Sequence, residues 1–166
     1  LISGPTKEKL TNSLVKVIPV TSAEDMYVAT HDYFNSVDVA ICAAAVADYK
    51  PQHVADQKIK KKTATFTIEL EKTKDILASI GAIKQHQIVV GFALETNNEI
   101  ENAKGKLKRK NLDFIVLNSL QDKGAGFGKA TNKITIIDAD ESLTSFELKS
   151  KKEVAQDILN HLLNKL

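Results

Sequence analysis

The stretch VDVAICAAAV at residues 37–46 decides the fold class of this 166-residue chain. It is an almost continuous run of small and β-branched apolar side chains, interrupted only by Asp38. A strand that is buried on both faces has this composition, because neither face needs polar side chains. The run therefore predicts a central strand of a mostly parallel sheet that is covered by helices.

Strand and helix patterns alternate along the rest of the chain. Apolar residues at helical spacing predict helices that end near residues 35, 84, 110 and 166. Residues 1–6 resemble the end of a strand, and further strands are predicted at residues 15–20, 65–70, 88–93, 114–117, 133–138 and 144–148. This order favours the α/β class, with a Rossmann-like, mostly parallel sheet flanked by helices and a small antiparallel β extension.

Hydroxyl residues mark the predicted helix starts. Thr73 is expected to cap a helix at residues 74–84 that turns Ile76, Ile80 and Ile83 inward. A capping box pairs a hydroxyl residue with a carboxylate three residues later, so that each side chain binds a backbone N–H at the helix start. The sequence has this spacing at three further helix starts: Thr21 with Glu24, Thr96 with Glu99, and Ser150 with Glu153.

Composition limits the classes of function. The formal net charge is +2, which is too small to indicate nucleic-acid binding by bulk charge. The single cysteine, Cys42, excludes a disulfide framework and is expected to be a small buried apolar residue. The four histidines lack the spacing of metal ligands. No apolar stretch approaches the roughly 18 residues that a membrane span needs, so no membrane partner is expected. A chain with a single cysteine suits a reducing cytoplasm, which is the expected location.

The ends of the predicted strands supply the first candidate site residues. Parallel sheets bind ligands at the carboxyl ends of their strands, which directs attention to Asp48, Glu95 and Asn118. The small side chains of Ala44 and Ala45 would let a ligand approach the backbone closely. A tightly packed strand that ends in a capping Asp explains the same segment without any ligand, so both interpretations stay open.

A run of lysines supplies a second candidate site. Lys58, Lys60, Lys61 and Lys62 fall within five residues of a predicted loop. Such a segment is either a solvated loop or a flap that neutralises phosphates, since each ammonium is a compact charge with three hydrogen-bond donors.

The helices supply less specific candidates. Lys106 and Lys110 are four residues apart and share one helix face, where they could reach a phosphate. Exposed backbone N–H groups at the helix start near Lys74 favour anions, as they do at every helix start. The glycine-rich residues 124–128 precede a predicted strand rather than a helix, so they are not a dinucleotide-binding fingerprint.

Four motifs in this order and spacing resemble one known family. They are AAAVADYKP at residues 43–51, DQKIKK at residues 56–61, VGFALETNN at residues 90–98 and KLKRKNLDFIVLN at residues 106–118. The series resembles the bacterial phosphopantothenate–cysteine ligases, usually the C-terminal half of a bifunctional flavoprotein of coenzyme A biosynthesis. The similarity extends over essentially the whole chain, which is then expected to be a single ligase domain over residues 1–166.

The resemblance implies a ligase reaction with CTP and Mg²⁺. The carboxylate of phosphopantothenate attacks the α-phosphate of CTP, giving an acyl-cytidylate and pyrophosphate. The amine of cysteine then displaces CMP to form the amide. Positioning and charge neutralisation would supply most of the catalysis.

The resemblance also assigns roles to residues of this chain. Lys58 resembles the catalytic lysine that stabilises charge on the acyl-cytidylate, and Lys60 with Lys61 resembles the rest of a flap. The chain departs from the family where Thr73 and Lys74 replace a frequent Asn-Pro pair. The metal ligands are not identified. Nucleotide contacts are implied for Asp48, Lys58, Lys74, Asp75, Ile76, Leu77, Phe92, Lys106 and Lys110. Substrate contacts are implied for Ala44, Ala45 and Asn118. At Asn118 the family has Ala-Asn-Asp and this chain has Leu-Asn-Ser.

The resemblance also concerns the assembly and the segment before Leu1, and two other functions are alternatives to it. The family implies a homodimer or higher homo-oligomer, a possible fused decarboxylase domain upstream, and a first strand and Gly-rich turn that would precede Leu1. A nonenzymatic module could instead bind nucleic acid through the lysines of residues 58–62, although no aromatic residues are interleaved with them. A nicotinamide-dependent oxidoreductase on a similar sheet is the other alternative.

Overall fold

The computed structural model describes residues 1–8, 10–60, 64–119 and 129–166, in two compact units. Unit 1 comprises Leu1–Asn35 and Ala44–Ile76, and unit 2 comprises Ser36–Ala43 and Leu77–Leu166. The helices are α1 (Ala23–Phe34), α2 (Ile76–Ile83), α3 (Glu99–Arg109) and α4 (Lys151–Leu163). The strands are β1 (Ile2–Ser3), β2 (Ile18–Pro19), β3 (Val39–Cys42), β4 (Tyr49–Pro51), β5 (Leu70–Lys72), β6 (Ile88–Glu95), β7 (Phe114–Ser119), β8 (Thr131–Asn132), β9 (Ile134–Asp138), β10 (Leu143–Ser145) and β11 (Lys149–Ser150).

Unit 2 contains a five-stranded sheet in the order β10-β9-β7-β6-β3. Strands β3, β6 and β7 run parallel, and β9 and β10 extend the sheet in antiparallel fashion. Strands β8 and β11 form a separate antiparallel pair. The predicted α/β class, with parallel strands, flanking helices and an antiparallel extension, is therefore confirmed.

The core of unit 2 covers both faces of this sheet. On one face, the fully buried Val90, Phe114 and Val116 pack in one cluster with Val154 and Ile158 of α4. Helix α3 packs against β6 and β7 and buries Ala103 and Leu107. Each such aliphatic side chain contributes about 1.5–3 kcal/mol when it is fully removed from water.

Asp113 fixes the point at which β6 and β7 begin. Its carboxylate accepts a hydrogen bond from the backbone N–H of Val89 at 2.6 Å, and its own N–H donates to the Val89 carbonyl at 3.0 Å. The ammonium of Lys84, just after α2, lies 3.1 Å from the same carboxylate. A one-residue slip of either strand would break these bonds and turn its apolar side chains to the other face.

Unit 1 contains two small sheets and α1. Strands β1 and β2 pair in parallel, and β4 and β5 pair antiparallel with Tyr49 opposite Lys72. The backbone N–H of Thr73 donates to the Asp48 carbonyl at 2.9 Å, and the Thr73 hydroxyl donates to the Ala47 carbonyl at 2.6 Å. Thr73 therefore supports the segment before β4, and the prediction that it caps α2 is wrong.

Two strand predictions are corrected within the described residues. The run at residues 37–46 forms a strand only over Val39–Cys42, which pairs on one side with β6 and leaves Ile41 43% exposed, so it is an edge strand rather than a central one. Small apolar residues permit close packing, but they do not determine how many neighbours a strand has. A strand was predicted at residues 65–70, where apolar and polar side chains alternate. Residues 65–69 do not belong to a strand, and Phe66 and Ile68 are exposed.

The capping-box predictions succeed in one case of three. Helix α4 begins at the predicted box of Ser150 with Glu153. Helix α1 uses Ser22 with Asp25, because the same spacing recurs one residue later and Asp can replace Glu as the acceptor. Helix α3 starts after Asn98 at a left-handed φ of 46° without a side-chain cap. Ile83 was predicted to face inward and is exposed.

Asp138 joins α4 to the sheet of unit 2. Its side chain is 9% exposed, and the carboxylate lies 2.6 Å from the Lys165 ammonium and 3.0 Å from Nε2 of His161. The ring of His161 also meets Phe114 edge-on at 5.0 Å. Burial raises the pKa of Asp138, but the hydrogen bonds and charges of Lys165 and His161 outweigh it and hold this pKa below 3.8.

We expect Gly81→Ala to destabilise the protein by about 2–3 kcal/mol, because the backbone leaves no room for a methyl group. A Cβ atom at Gly81 would lie 1.9 Å from the Lys110 carbonyl oxygen. Gly105→Ala is the matched control, since its Cβ would meet only the flexible end of Arg109 at 2.9 Å and Ala favours a helix. Urea denaturation measures both, and a Gly81→Ala change below about 0.5 kcal/mol would contradict the packing.

We expect Asp138→Asn to lower the free energy of unfolding at neutral pH by about 2 kcal/mol, since the Lys165 ammonium loses its carboxylate partner and the His161 ring loses a charged hydrogen-bond partner. A depressed carboxyl pKa stabilises the fold above the unfolded pKa, and this stabilisation is lost as the pH falls through the folded pKa. The difference from wild type should therefore shrink as the pH falls below 3.8. Denaturation curves at neutral and acidic pH test this, and a pH-independent difference would show that the charge is not responsible.

Candidate functional site

The carboxyl ends of β6 and β7 form the first part of the candidate site, within unit 2. The two parallel strands end side by side, with Leu94 opposite Asn118 and Glu95 opposite Ser119. Parallel sheets bind ligands at this edge because the connecting loops and the starts of the following helices meet there. Glu95 and Asn118 thus reach one edge of the sheet, as the sequence predicted, but on opposite faces of it, because Asn118 is in register with Leu94 rather than with Glu95.

An ion pair occupies this edge. The Lys106 ammonium lies 2.6 Å from Oε1 of Glu95, whose side chain is 15% exposed while that of Lys106 is 35% exposed. The amide nitrogen of Asn102 donates to the other Glu95 oxygen at 3.3 Å and to the Asn97 carbonyl at 2.9 Å. Asn102 and Lys106 are one helical turn apart and so face the same carboxylate.

A chain of hydrogen bonds fixes the orientation of the Asn118 amide. The backbone N–H of Lys133 donates to Oδ1 of Asn132 at 3.0 Å, and Nδ2 of Asn132 lies 2.8 Å from Oδ1 of Asn118. Because a backbone N–H is always a donor, Asn132 must donate to Asn118. The Asn118 side chain therefore offers its amide N–H groups to a ligand, and these groups suit a carbonyl, carboxylate or phosphate oxygen.

Phe92 and Lys110 occupy other positions in unit 2. Phe92 is partly buried against the cluster that includes α4, and it lies on the opposite face of β6 from Glu95. Lys110 follows the last residue of α3, and its positive charge partly opposes the effect of burial on Cys42. Burial raises the pKa of the Cys42 thiol to about 11, so the thiol is protonated at neutral pH. Cys42 was predicted to be a small buried apolar residue, and in the structure it is only partly buried.

Unit 1 carries the flap and substrate candidates. Ala44, Ala45, Asp48, Lys58 and Lys60 are exposed, and residues 52–60 form neither helix nor strand. The loop prediction is confirmed over that range. Lys61 and Lys62 lie outside the described residues, as does the glycine-rich segment at residues 124–128.

The helix start at Lys74 differs from the expectation. Its ammonium lies 2.6 Å from Oε1 of Glu24 and 4.5 Å from the centre of the Tyr27 ring. The hydrogen bond to Glu24 is the main reason that the pKa of Lys74 is raised. A ligand phosphate would have to compete with this carboxylate for the Lys74 charge.

Of the three residues after Lys74, Asp75 is exposed, whereas the side chains of Ile76 and Leu77 are less available to a ligand than the resemblance implied. Asp75 precedes the first residue of α2, and Ile76 is 8% exposed. The side chain of Leu77 packs over Gly91, where an added Cβ would lie 2.8 Å from a Leu77 methyl group. Any contact of Ile76 or Leu77 with a nucleotide would therefore be made by the backbone.

Sequence reasoning missed two polar residues of this site. Asn102 could have been found, because it precedes Lys106 by one helical turn and follows Glu95 by seven residues. Asn132 carried no local signal, since its role depends on a pairing with Asn118 that is fourteen residues away. Among residues 1–8, 10–60, 64–119 and 129–166, no group of three or more His, Cys, Asp or Glu side chains could hold a metal ion.

The described helices include none that is long and apolar enough to cross a membrane.

Comparisons with known proteins identify the family. The family described as "DFP: DNA/pantothenate metabolism flavoprotein C-terminal domain" matches residues 1–166. The chain is similar to a cysteine/cysteine sulfinic acid decarboxylase of an unknown prokaryotic organism, with 51% identity over 98% of this chain and 46% of that protein. It is also similar to the coenzyme A biosynthesis bifunctional protein CoaBC of Bacillus subtilis (strain 168), with 43% identity over 98% of this chain and 40% of that protein.

A solved structure agrees with these relatives. The crystal structure of the C-terminal domain of a coenzyme A biosynthesis bifunctional protein CoaBC has a TM-score of 0.79 and 37% identity, covering 97% of this chain and 70% of that one. The chain spans less than half the length of the two curated relatives, 46% and 40%. The match over all 166 residues shows that the chain belongs to the DFP family, the C-terminal domain of DNA/pantothenate metabolism flavoproteins.

Proposed function

We propose that this chain is the phosphopantothenate–cysteine ligase domain of a coenzyme A biosynthesis protein. The observation that supports it most directly is the edge of β6 and β7, where a DFP-family chain carries Lys106 beside Glu95 on one face and an Asn118 amide on the other. A cation and amide donors at a carboxyl edge suit an anionic nucleotide or a carboxylate substrate. The similarity to CoaBC proteins over 98% of the chain points to the same pathway.

The proposed first step activates a carboxylate. A carboxylate oxygen of phosphopantothenate attacks the α-phosphorus of CTP, a phosphorus–oxygen bond forms, and the bond to the β-phosphate breaks with release of pyrophosphate. The reaction concentrates negative charge on phosphate oxygens. Lys58 and Lys60 on the exposed loop of unit 1 are the cations proposed to neutralise it, and Lys106 is proposed separately as a nucleotide contact of unit 2.

The proposed second step forms the amide. The cysteine amine attacks the acyl carbon of the acyl-cytidylate, the carbon–oxygen bond to CMP breaks, and the amine loses a proton. Asp48 and the Asn118 amide are proposed to contact the ligands, with Ala44 and Ala45 leaving room for the substrate backbone. Lys74, Asp75, Phe92 and Lys110 remain proposed nucleotide contacts, as do the backbones of Ile76 and Leu77.

Magnesium is proposed to enter with the triphosphate. Mg²⁺ commonly uses substrate phosphates, waters and one or two carboxylates rather than a cage made entirely by the protein. The part of the chain that the structure describes has no group of three acidic, His or Cys side chains that could hold an ion, which fits such a nucleotide-borne cation. Asp48, exposed in unit 1, is a carboxylate that could contribute one ligand.

The wider assembly is also a proposal. Val54, Ile59, Phe66 and Ile68 of unit 1 are 58–84% exposed, and large exposed apolar patches commonly mark interfaces. We propose that they contribute to a homodimer or higher homo-oligomer. The length of the relatives is consistent with an upstream domain, which we propose to be a decarboxylase, and the cytoplasm remains the predicted location.

The nucleic-acid and nicotinamide alternatives lose their support. Neither accounts for DFP family membership over residues 1–166. The decarboxylase name of one relative belongs to a protein of which this chain covers 46%, so it is compatible with ligase activity in this part.

We expect the full-length protein that contains this chain to release pyrophosphate from CTP in a reaction that requires Mg²⁺ and phosphopantothenate, and Lys58→Gln to slow it by about 100-fold or more. The reason is that the variant loses a charge at the developing anion. Lys152→Gln, an equal charge change in the first turn of α4, is the control and should keep wild-type rates. A coupled pyrophosphate assay with CTP and with ATP measures these rates.

Two results would contradict this proposal. Folded wild-type protein that releases no pyrophosphate with either nucleotide would remove the ligase function. Equal rates for Lys58→Gln and Lys152→Gln would leave the ligase intact but remove the proposed role of Lys58.

A further inference from the structure

The lysines of α3 form two separate sets of ion pairs. Lys104 lies 2.9 Å from Glu141, which also pairs with Lys108, in the turn between β9 and β10. Lys106 instead pairs with Glu95 at the carboxyl edge of β6. One helix therefore offers a pair at the candidate site and a chemically similar pair elsewhere for comparison.

Glu95 is held more firmly than a surface carboxylate. It is the last residue of β6, where its backbone lies in register with Ser119 of β7. One carboxylate oxygen is 2.6 Å from Lys106 and the other accepts from Asn102 at 3.3 Å. With its backbone in the sheet and both oxygens engaged, the 15%-exposed carboxylate is a fixed point against which a longer side chain can be oriented.

Lys106 gains a defined position from this contact. Its four-carbon side chain has many rotamers, and ordering it on ligand binding lowers affinity unless the protein has already done so. An ammonium group carries three donors. The Glu95 contact uses one of them, so two remain for the oxygens of an incoming phosphate.

We infer that Glu95 is a positioning residue that holds the Lys106 ammonium at the carboxyl edge of β6 for a phosphate group of the nucleotide. The inference rests on the proposed function for the identity of the nucleotide. Glu95 acts through Lys106 and does not itself touch the phosphate, since two anionic groups would repel each other. Asn102 orients Glu95 in turn by binding its second oxygen.

The negative charge of Glu95 and its positioning of Lys106 have opposite effects on the binding of an anion. If the carboxylate merely neutralised Lys106, its removal would strengthen binding of an anion. If it positions Lys106, its removal weakens that binding. Glu95→Gln keeps an oxygen that can accept from Lys106 and loses the charge, whereas Glu95→Ala loses both, so the two variants separate these effects.

The test measures CTP·Mg²⁺ affinity by calorimetry, and KM and kcat for pyrophosphate release, in the protein and its variants. We expect Glu95→Ala to raise the Kd and the KM for CTP by about tenfold with kcat within about twofold. Glu95→Gln should raise them by no more than about threefold, since the accepting oxygen remains. Glu95→Ala combined with Lys106→Gln should bind CTP no more weakly than Lys106→Gln alone, because Glu95 acts through Lys106.

Two further variants complete the design. Glu141→Ala is the matched control, because it removes a carboxylate from Lys104 and Lys108 of the same helix and should leave the KM for CTP unchanged. Asn102→Ala keeps the ion pair but removes the second hydrogen bond of Glu95, and should raise the KM by a smaller factor than Glu95→Ala. It provides the test if Glu95→Ala does not fold, as judged by its thermal transition.

Several results would overturn the inference. These are unchanged or tighter CTP binding in Glu95→Ala, a loss of kcat without a change in KM, or effects of Glu95→Ala and Lys106→Gln that simply add. Failure of the proposed function is distinguishable, because the wild-type protein itself would then release no pyrophosphate. If the wild-type protein also bound no CTP, both the function and the inference would fall.

Discussion

The pairing of β6 with β7 is the interaction on which the rest of unit 2 depends. Asp113 sets the start of this pairing through two hydrogen bonds to Val89, and the two strands then continue in register to Glu95 and Ser119. The same ladder creates both the buried faces and the polar edge. A shift of one residue would bury Glu95 and Asn118 differently and expose the apolar side chains between them.

The sequence predicted where the elements of unit 2 lie in the chain better than it predicted which strands pair. Strands β6 and β7 and helix α4 appear where their apolar periodicity placed them, because burial on both faces leaves a strong pattern. The run at residues 37–46 has the same composition and forms an edge strand, since pairing partners are a property of the whole sheet. Thr21 does not cap α1, because the capping spacing recurs one residue later at Ser22. Thr96 does not cap α3, because Asn98 precedes the helix in a left-handed conformation.

Part of the candidate site was also predictable from local patterns in the sequence. Glu95, Lys106 and Asn118 follow from strand ends and helix spacing, whereas Asn132 acts through a contact that joins distant segments. The charge of Lys74 was predicted but its partners, Glu24 and Tyr27, were not, because they lie fifty and forty-seven residues earlier in the chain. Local patterns thus locate a cation, and the tertiary fold determines which anion it meets.

Two of the candidate anion-binding lysines share a property, since each is paired with a glutamate. Lys74 in unit 1 and Lys106 in unit 2 each lie 2.6 Å from a glutamate oxygen. Both ammonium groups are oriented by protein carboxylates and retain donors for a ligand. Lys58 and Lys60 are instead exposed on a segment without regular structure, where a ligand would have to supply the ordering contacts.

Amide hydrogen exchange on addition of CTP and Mg²⁺ tests the central claim most directly, because it locates the nucleotide without requiring turnover. If the carboxyl edge of β6 and β7 binds the nucleotide, the amides at residues 92–99 and 118–119 should exchange more slowly in its presence. Saturable CTP binding that leaves exchange at both segments unchanged would place the nucleotide elsewhere and contradict the account.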